Sequence, residues 1–187
     1  MLKARLVACL LALAVASTPP LMQPRPALAA TAAEINRDAT TALNQLYQKT
    51  PDAKKLAARA KAILIFPSVY KAGFMFGGQY GEGVLRKGNK TIGYYNTLAA
   101  SYGLQAGAQA FGYALFFMND SALSFFEKSN GFEVGSGPSI VVLDEGTAKT
   151  ATTSTLTQDV YAFIFSQHGL MGGLGLQGSK ISKIDKK

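Results

Sequence analysis

Lys54, Lys55, Arg59 and Lys61 are the residues whose type and spacing most plainly allow a function in this chain. They follow Thr50-Pro51-Asp52, where threonine can cap a helix and proline is tolerated at its first position. At about 100° per residue, Ala53, Leu56, Ala60, Ile63 and Leu64 fall on one arc of that helix, and the four cations fall on the opposite arc. Such a basic face suits two roles. It can be a solvated cover over a sheet, with the aliphatic stems lying along apolar surface. It can also meet anionic lipid headgroups, where each cation contributes roughly 1 kcal/mol. Four cations then give about 4 kcal/mol, which corresponds to about millimolar affinity. Useful membrane binding therefore needs apolar insertion as well, from the first helix or from an exposed Tyr or Phe.

The other reactive side chains are scattered. His168 is the single histidine, so histidine-rich zinc sites are excluded and an isolated loop residue is expected. Asp144 and Glu145 are adjacent and on a strand would point to opposite faces, which does not suit paired acid–base work. Gly173-Leu174-Gly175-Leu176-Gln177-Gly178 matches a dinucleotide fingerprint by letter. That motif needs a following helix and an acidic residue about twenty positions on, and the sequence ends before either is reached. No serine lies in a nucleophile elbow. We expect a non-enzymatic protein with no metal site and no cofactor.

These residues must be positioned by surrounding elements. Thr31-Ala32-Ala33-Glu34 has capping-box spacing. Ile35, Ala39, Ala42, Leu43, Leu46 and Tyr47 then recur at helical spacing. Ile63 to Phe66 reads as the end of the second helix or the start of a strand, with Pro67 as a stop. Gly73 to Leu85 reads as a bent strand or a strand pair. Arg86-Lys87-Gly88-Asn89-Lys90 is placed as a hairpin turn into Thr91. Thr91 to Asn119 carries no charged residue. Its alternation puts an apolar set, including Ile92, Tyr94 and Leu98, on one face and small or polar residues on the other. From Phe111 to Met118 both faces are apolar, as in a strand buried on both sides. A short helix is expected over Ser121–Lys128, capped by Asn119 or Asp120. Strands are expected at Phe132–Val134, Ser139–Leu143 and Val160–Ser166, and a loop or edge ribbon at Asp144–Gln158.

Lys3 and Arg5 precede the apolar run Leu6 to Ala16, and Ala27-Leu28-Ala29 offers a cleavage site, with Ala14-Val15-Ala16 as a second. This layout predicts a signal peptide over 1–29 and a single domain over 30–187. Cys9, the only cysteine, would leave with the leader, so the processed domain has no thiol. The formal charge is +8, and the processed chain stays basic after losing Lys3, Arg5 and Arg25. That bias suits an anionic surface. Export to a periplasmic or extracellular compartment favours phospholipid over nucleic acid.

Ala62-Ile63-Leu64-Ile65-Phe66-Pro67, Lys71-Ala72-Gly73-Phe74 and Tyr80-Gly81-Glu82-Gly83-Val84-Leu85 resemble the SYLF domain family. So do Ile92-Gly93-Tyr94-Tyr95-Asn96, Gln105-Ala106-Gly107-Ala108-Gln109, Phe116-Phe117-Met118, Tyr161-Ala162-Phe163 and Gly178-Ser179-Lys180-Ile181. The resemblance implies a lipid-binding domain that uses its N-terminal amphipathic segment, here the segment of Lys54, Lys55, Arg59 and Lys61. Fungal relatives also bind actin filaments, a role that export would remove. The expected fold is α+β: N-terminal helices packed on a curved, mainly antiparallel β-sheet or partial barrel. The expected function is association with anionic phospholipid at an extracytoplasmic membrane face. The alternatives are an envelope structural or protein-interaction module, a carrier enclosing a lipid tail, and an outer-membrane barrel.

Overall fold

A computed structural model describes residues 30–129, 132–134, 137–143, 158–169 and 178–186, with the side chains of 101–106 left out. The leader, the Asp144–Glu145 pair and most of the glycine fingerprint lie outside these residues.

Helix α1 spans Ala32–Lys49 and begins where the capping box predicts. The Thr31 hydroxyl accepts from the Glu34 N–H at 3.2 Å, and Glu34 Oε2 accepts from the Thr31 N–H at 2.8 Å. The Thr31 N–H, and then the Thr31 hydroxyl, which also donates to Glu34 Oε2 at 2.8 Å, hold the Glu34 carboxyl below its usual pKa. Their stabilisation is therefore present above the unfolded-state pKa and fades as pH falls through the lowered folded value. Thr31→Ala is expected to lower stability by about 1 kcal/mol at neutral pH. The difference should shrink in acid, as read from urea unfolding at several pH values. Helix α2 is Pro51–Ala57, seven residues long. It is shorter than the sequence pattern suggests, because the Lys61 N–H already donates to Phe117 O at 2.8 Å. Ile63 and Leu64 are consequently strand residues.

Two long strands dominate the chain. β1 runs over Ala62–Lys87 and β2 over Lys90–Phe117, paired antiparallel from Ala62↔Phe117 to Lys87↔Lys90. Pro67 does not stop β1; the ladder skips from Phe66 to Val69 and resumes. The ribbon folds over on itself near its middle. A Cβ on Gly83 would stand 2.4 Å from Ile65 O, so the two halves of β1 lie against each other. The crease is Gly73–Gly77, where a Cβ on Gly73 would meet Gly77 Cα at 2.5 Å. Met75 takes φ 61 there, and Gly107, with φ 142, faces Gly73 across the ladder.

Each half of the ribbon recruits further strands. In the first layer β5 (Val160–Gly169) pairs antiparallel with Gln109–Phe117, and β4 (Ile140–Leu143) lies parallel to β5. In the second layer β6 (Lys180–Ile184) pairs with Tyr94–Leu98, and β3 (Phe132–Glu133) pairs with β6. Leu64, Phe66 and Phe117 from the first layer share a core with Leu85, Tyr95 and Ile181 from the second. Helix α3 (Asp120–Lys128), capped by Asn119, adds Leu123 and Phe126 to that core. The Phe126 ring lies 5.1 Å from Phe117, 4.9 Å from Tyr95 and 5.4 Å from Phe132. Helices α1 and α2 cover the other face of the first layer. There Ile35, Leu46 and Leu56 join Ile65, Phe116 and Phe163. The result is an α+β fold with a curled, mainly antiparallel sheet and N-terminal helices, as the sequence predicts.

Candidate functional site

The basic cluster does not form one helix face. Lys54 and Lys55 lie on α2, whereas Arg59 and Lys61 lie beyond its end. Apolar residues keep helical spacing by letter past the point where the backbone turns into β1. All four side chains are exposed. Lys55 pairs with Asp52 at 2.8 Å and Lys61 with Asp120 at 3.4 Å. Exposed pairs of this kind contribute little stability but partly neutralise the cations.

The most conspicuous surface is the crease of the ribbon. Phe74 is 76% exposed, Phe76 70% and Met75 47%, and Tyr70, Tyr80 and Leu98 are exposed beside them. Even-numbered positions of β1 from Tyr70 to Tyr80 all face outward, and Gln79, between two of them, is buried. The same inversion holds on β2: Ile92 and Leu98 are exposed while Tyr95 and Thr97 are buried. Of the apolar face read from the sequence, Ile92 and Leu98 are thus turned to solvent and Tyr94 packs beside α1, while Gln79 and Thr97 point between the layers. Gln79 Nε2 donates to Ser179 Oγ at 3.3 Å, while Thr97 Oγ1 and the Tyr113 hydroxyl make no hydrogen bond of good geometry among the described residues. Burial pushes the Tyr113 hydroxyl pKa well up, so it stays protonated. Apolar patches turned to solvent mark candidate interaction surfaces.

The crease is uncharged from Ala72 to Gly81 on one strand, and β2 is uncharged from Thr91 to its end. Lys71 precedes it on β1, and exposed His168 lies in register with Ala110 and, beyond it, Tyr70. His168 thus sits at a strand end, with no acid–base partner among the described residues. The second layer is anchored at its far end. Lys186 Nζ donates to both oxygens of Glu82 at 2.8 Å and to Ala30 O at 2.9 Å. Glu82 also accepts from the Tyr80 hydroxyl at 2.7 Å. Loss of water around that hydroxyl, and then Glu82, push its pKa up to about 12, although the ring edge is exposed.

The structure keeps the basic segment and the crease apart. Folding the ribbon in the middle gathers both its ends, residues 62–66 and 83–93, at one pole and leaves the crease at the other. About 12 strand residues separate Lys61 from Phe74, up to about 40 Å of extended backbone. At the first pole, α1, the end of α2 and the β1–β2 turn enclose a cleft of about 440 Å³ lined partly by Arg86. Sequence reasoning missed both the crease and the cleft, since each depends on where the ribbon folds. Among the described residues no helix is long and apolar enough to cross a membrane, and no group of His, Cys, Asp and Glu could hold a metal.

Two helices on one layer of a folded-over ribbon, with an apolar crease at the free pole, define an α+β domain with an exposed apolar surface. A family model described as Ysc84, Las17-binding protein actin regulator, matches residues 98–187. The matched segment is just under half of the chain, and the match is consistent with the SYLF resemblance of the sequence. The match supports a binding role. The match runs from β2 to the C-terminus and includes neither β1 nor Lys54, Lys55, Arg59 and Lys61. No curated protein matches the chain significantly.

Proposed function

We propose that the protein is a non-enzymatic binder of anionic phospholipid surfaces, acting at an extracytoplasmic membrane face. One observation carries this reading: the apolar side chains at the crease, Phe74 foremost, are turned outward on an uncharged, convex bend. A convex apolar bend fits the headgroup–acyl boundary, which deforms around it, and aromatic rings are favoured at that depth. The positive balance that remains after loss of Lys3, Arg5 and Arg25 supplies attraction to an anionic bilayer. The leader-like first residues support an extracytoplasmic site of action.

Co-sedimentation with vesicles tests the proposal. Vesicles containing phosphatidylglycerol should carry the protein down, and neutral phosphatidylcholine vesicles should do so less. Absence from every vesicle pellet, even in dilute buffer, would refute it. Replacing Lys54, Lys55, Arg59 and Lys61 with Glu is expected to lower affinity about three- to tenfold at low ionic strength. The difference should vanish in about 1 M salt, because screening then acts within about 3 Å. The effect is modest because these cations lie at the pole opposite the crease. Binding unchanged at low salt would remove the four residues from the proposal.

A second reading takes the crease as the seat of a protein partner. The description of the family as actin regulators favours it. Sedimentation with actin filaments, together with indifference to vesicles, would replace the lipid reading.

A further inference from the structure

The cleft at the opposite pole has a chemistry of its own. Its walls include Leu43, Tyr47, Ala60 and Ile63, with Arg86 and Asn89 as polar members. At about 440 Å³ it falls within the size range of small-molecule sites. Arg86 is held by neutral acceptors alone: Nη2 donates to Asn36 O at 2.6 Å and to Asn36 Oδ1 at 3.2 Å, and Nη1 to Thr40 Oγ1 at 3.0 Å. Its Nε is buried and has no acceptor among the described residues. No carboxylate among the described residues pairs with it.

A guanidinium stays charged at any physiological pH. Arg86 has therefore lost part of its hydration without gaining a counter-charge, a deficit that an anion in the cleft would offset. The surroundings agree. Arg59 lies between Ala58 and Ala60, both cleft residues, and Lys87 and Lys90 flank the turn residues Gly88 and Asn89. None of the residues lining the cleft is acidic. The Tyr47 hydroxyl makes no hydrogen bond to the described residues, and burial keeps it protonated and able to donate.

We propose that this cleft binds an anionic amphiphile, with its phosphate or carboxylate at Arg86 and its apolar part along Leu43, Ala60 and Ile63. The proposal does not depend on insertion of the crease, since the two features lie at opposite poles. The ligand could be a free amphiphile or a headgroup presented by a bilayer; both offer the same chemistry.

Calorimetric titration of the full chain with lysophosphatidic acid, below its micelle concentration, reads the site directly. Lysophosphatidic acid should bind at least about tenfold more tightly than glycerol phosphate, which lacks the tail, or monoacylglycerol, which lacks the charge. Arg86→Gln should abolish binding, but it also removes contacts between α1 and β1. Ala58, exposed at the cleft mouth, gives the variants that spare the fold. Ala58→Glu should weaken binding at least about fivefold and Ala58→Lys should tighten it, with unfolding unchanged in both. Equal affinity of the two Ala58 variants would overturn the proposal, as would monoacylglycerol binding as well as lysophosphatidic acid, or no binding at all. The source is settled with a chain carrying Phe74→Asp and Met75→Asn, whose crease cannot insert. If that chain still sediments with vesicles of phosphatidic acid, the ligand is a bilayer headgroup; if it binds only monomeric lysophosphatidic acid, the ligand is a free amphiphile. Vesicle binding lost in that chain with the titration intact would locate the membrane contact at the crease without touching the cleft.

Discussion

The double substitution Phe74→Asp and Met75→Asn should lower affinity for anionic vesicles at least about 100-fold, with little change in stability. Burying a Phe or Met side chain is worth about 1.5–3 kcal/mol, so two inserted side chains supply about 3–6 kcal/mol. An aspartate at the bilayer boundary adds a desolvation penalty to that loss. The folded state should not suffer, because neither side chain belongs to the core. Met75 holds φ 61, a left-handed conformation in which asparagine is enriched, so the second replacement relieves strain at the crease. Vesicle co-sedimentation and urea unfolding of the same preparation read both quantities. Wild-type affinity in the double variant would exclude the crease as the inserting element, whatever else the protein binds.

The signals that were legible in the sequence are those that act within a few residues. The Thr31–Glu34 capping box fixes the start of α1, Asn119 caps α3, and the turn at Gly88-Asn89 joins β1 to β2. The two-sided apolar run from Phe111 to Phe117 is buried on both faces, against α1 and α2 on one side and the second layer on the other. Alternation over Ile92–Leu98 identifies two faces but does not say which is inward. That choice is made by the fold of the ribbon and by register slips such as Phe74/Phe76, which no local pattern encodes. The basic helix face failed for a related reason. Helical periodicity continues by letter through Leu64, yet pairing of Ala62–Phe66 with Tyr113–Phe117 buries that segment between two sets of partners. Tertiary pairing overrode a local propensity. The site suffered more than the fold because the crease and the cleft both arise from contacts distant in sequence.

Gly83→Ala is expected to lower stability by about 3 kcal/mol or more, the signature of overpacking where nothing can yield. The new methyl would lie 2.4 Å from Ile65 O and 2.6 Å from Phe66 Cδ1. Ile65 and Phe66 are fully buried and locked in the ladder opposite Ala114 and Tyr113, so relief requires the two layers to separate. Gly78→Ala is the matched control. Its nearest neighbour would be 4.0 Å away, and the expected change is within about 0.5 kcal/mol. Urea midpoints of the two variants measure the contrast; similar midpoints would mean that β1 does not fold back on itself. The consequence reaches the cleft, because Ala62 and Ile63 come from one half of the ribbon and Arg86 from the other. Under conditions where Gly83→Ala remains folded, affinity for lysophosphatidic acid should fall with the layer contact. Vesicle binding through Phe74, at the far pole, should be reduced less, since the crease needs only the Gly73–Gly77 bend to present its rings.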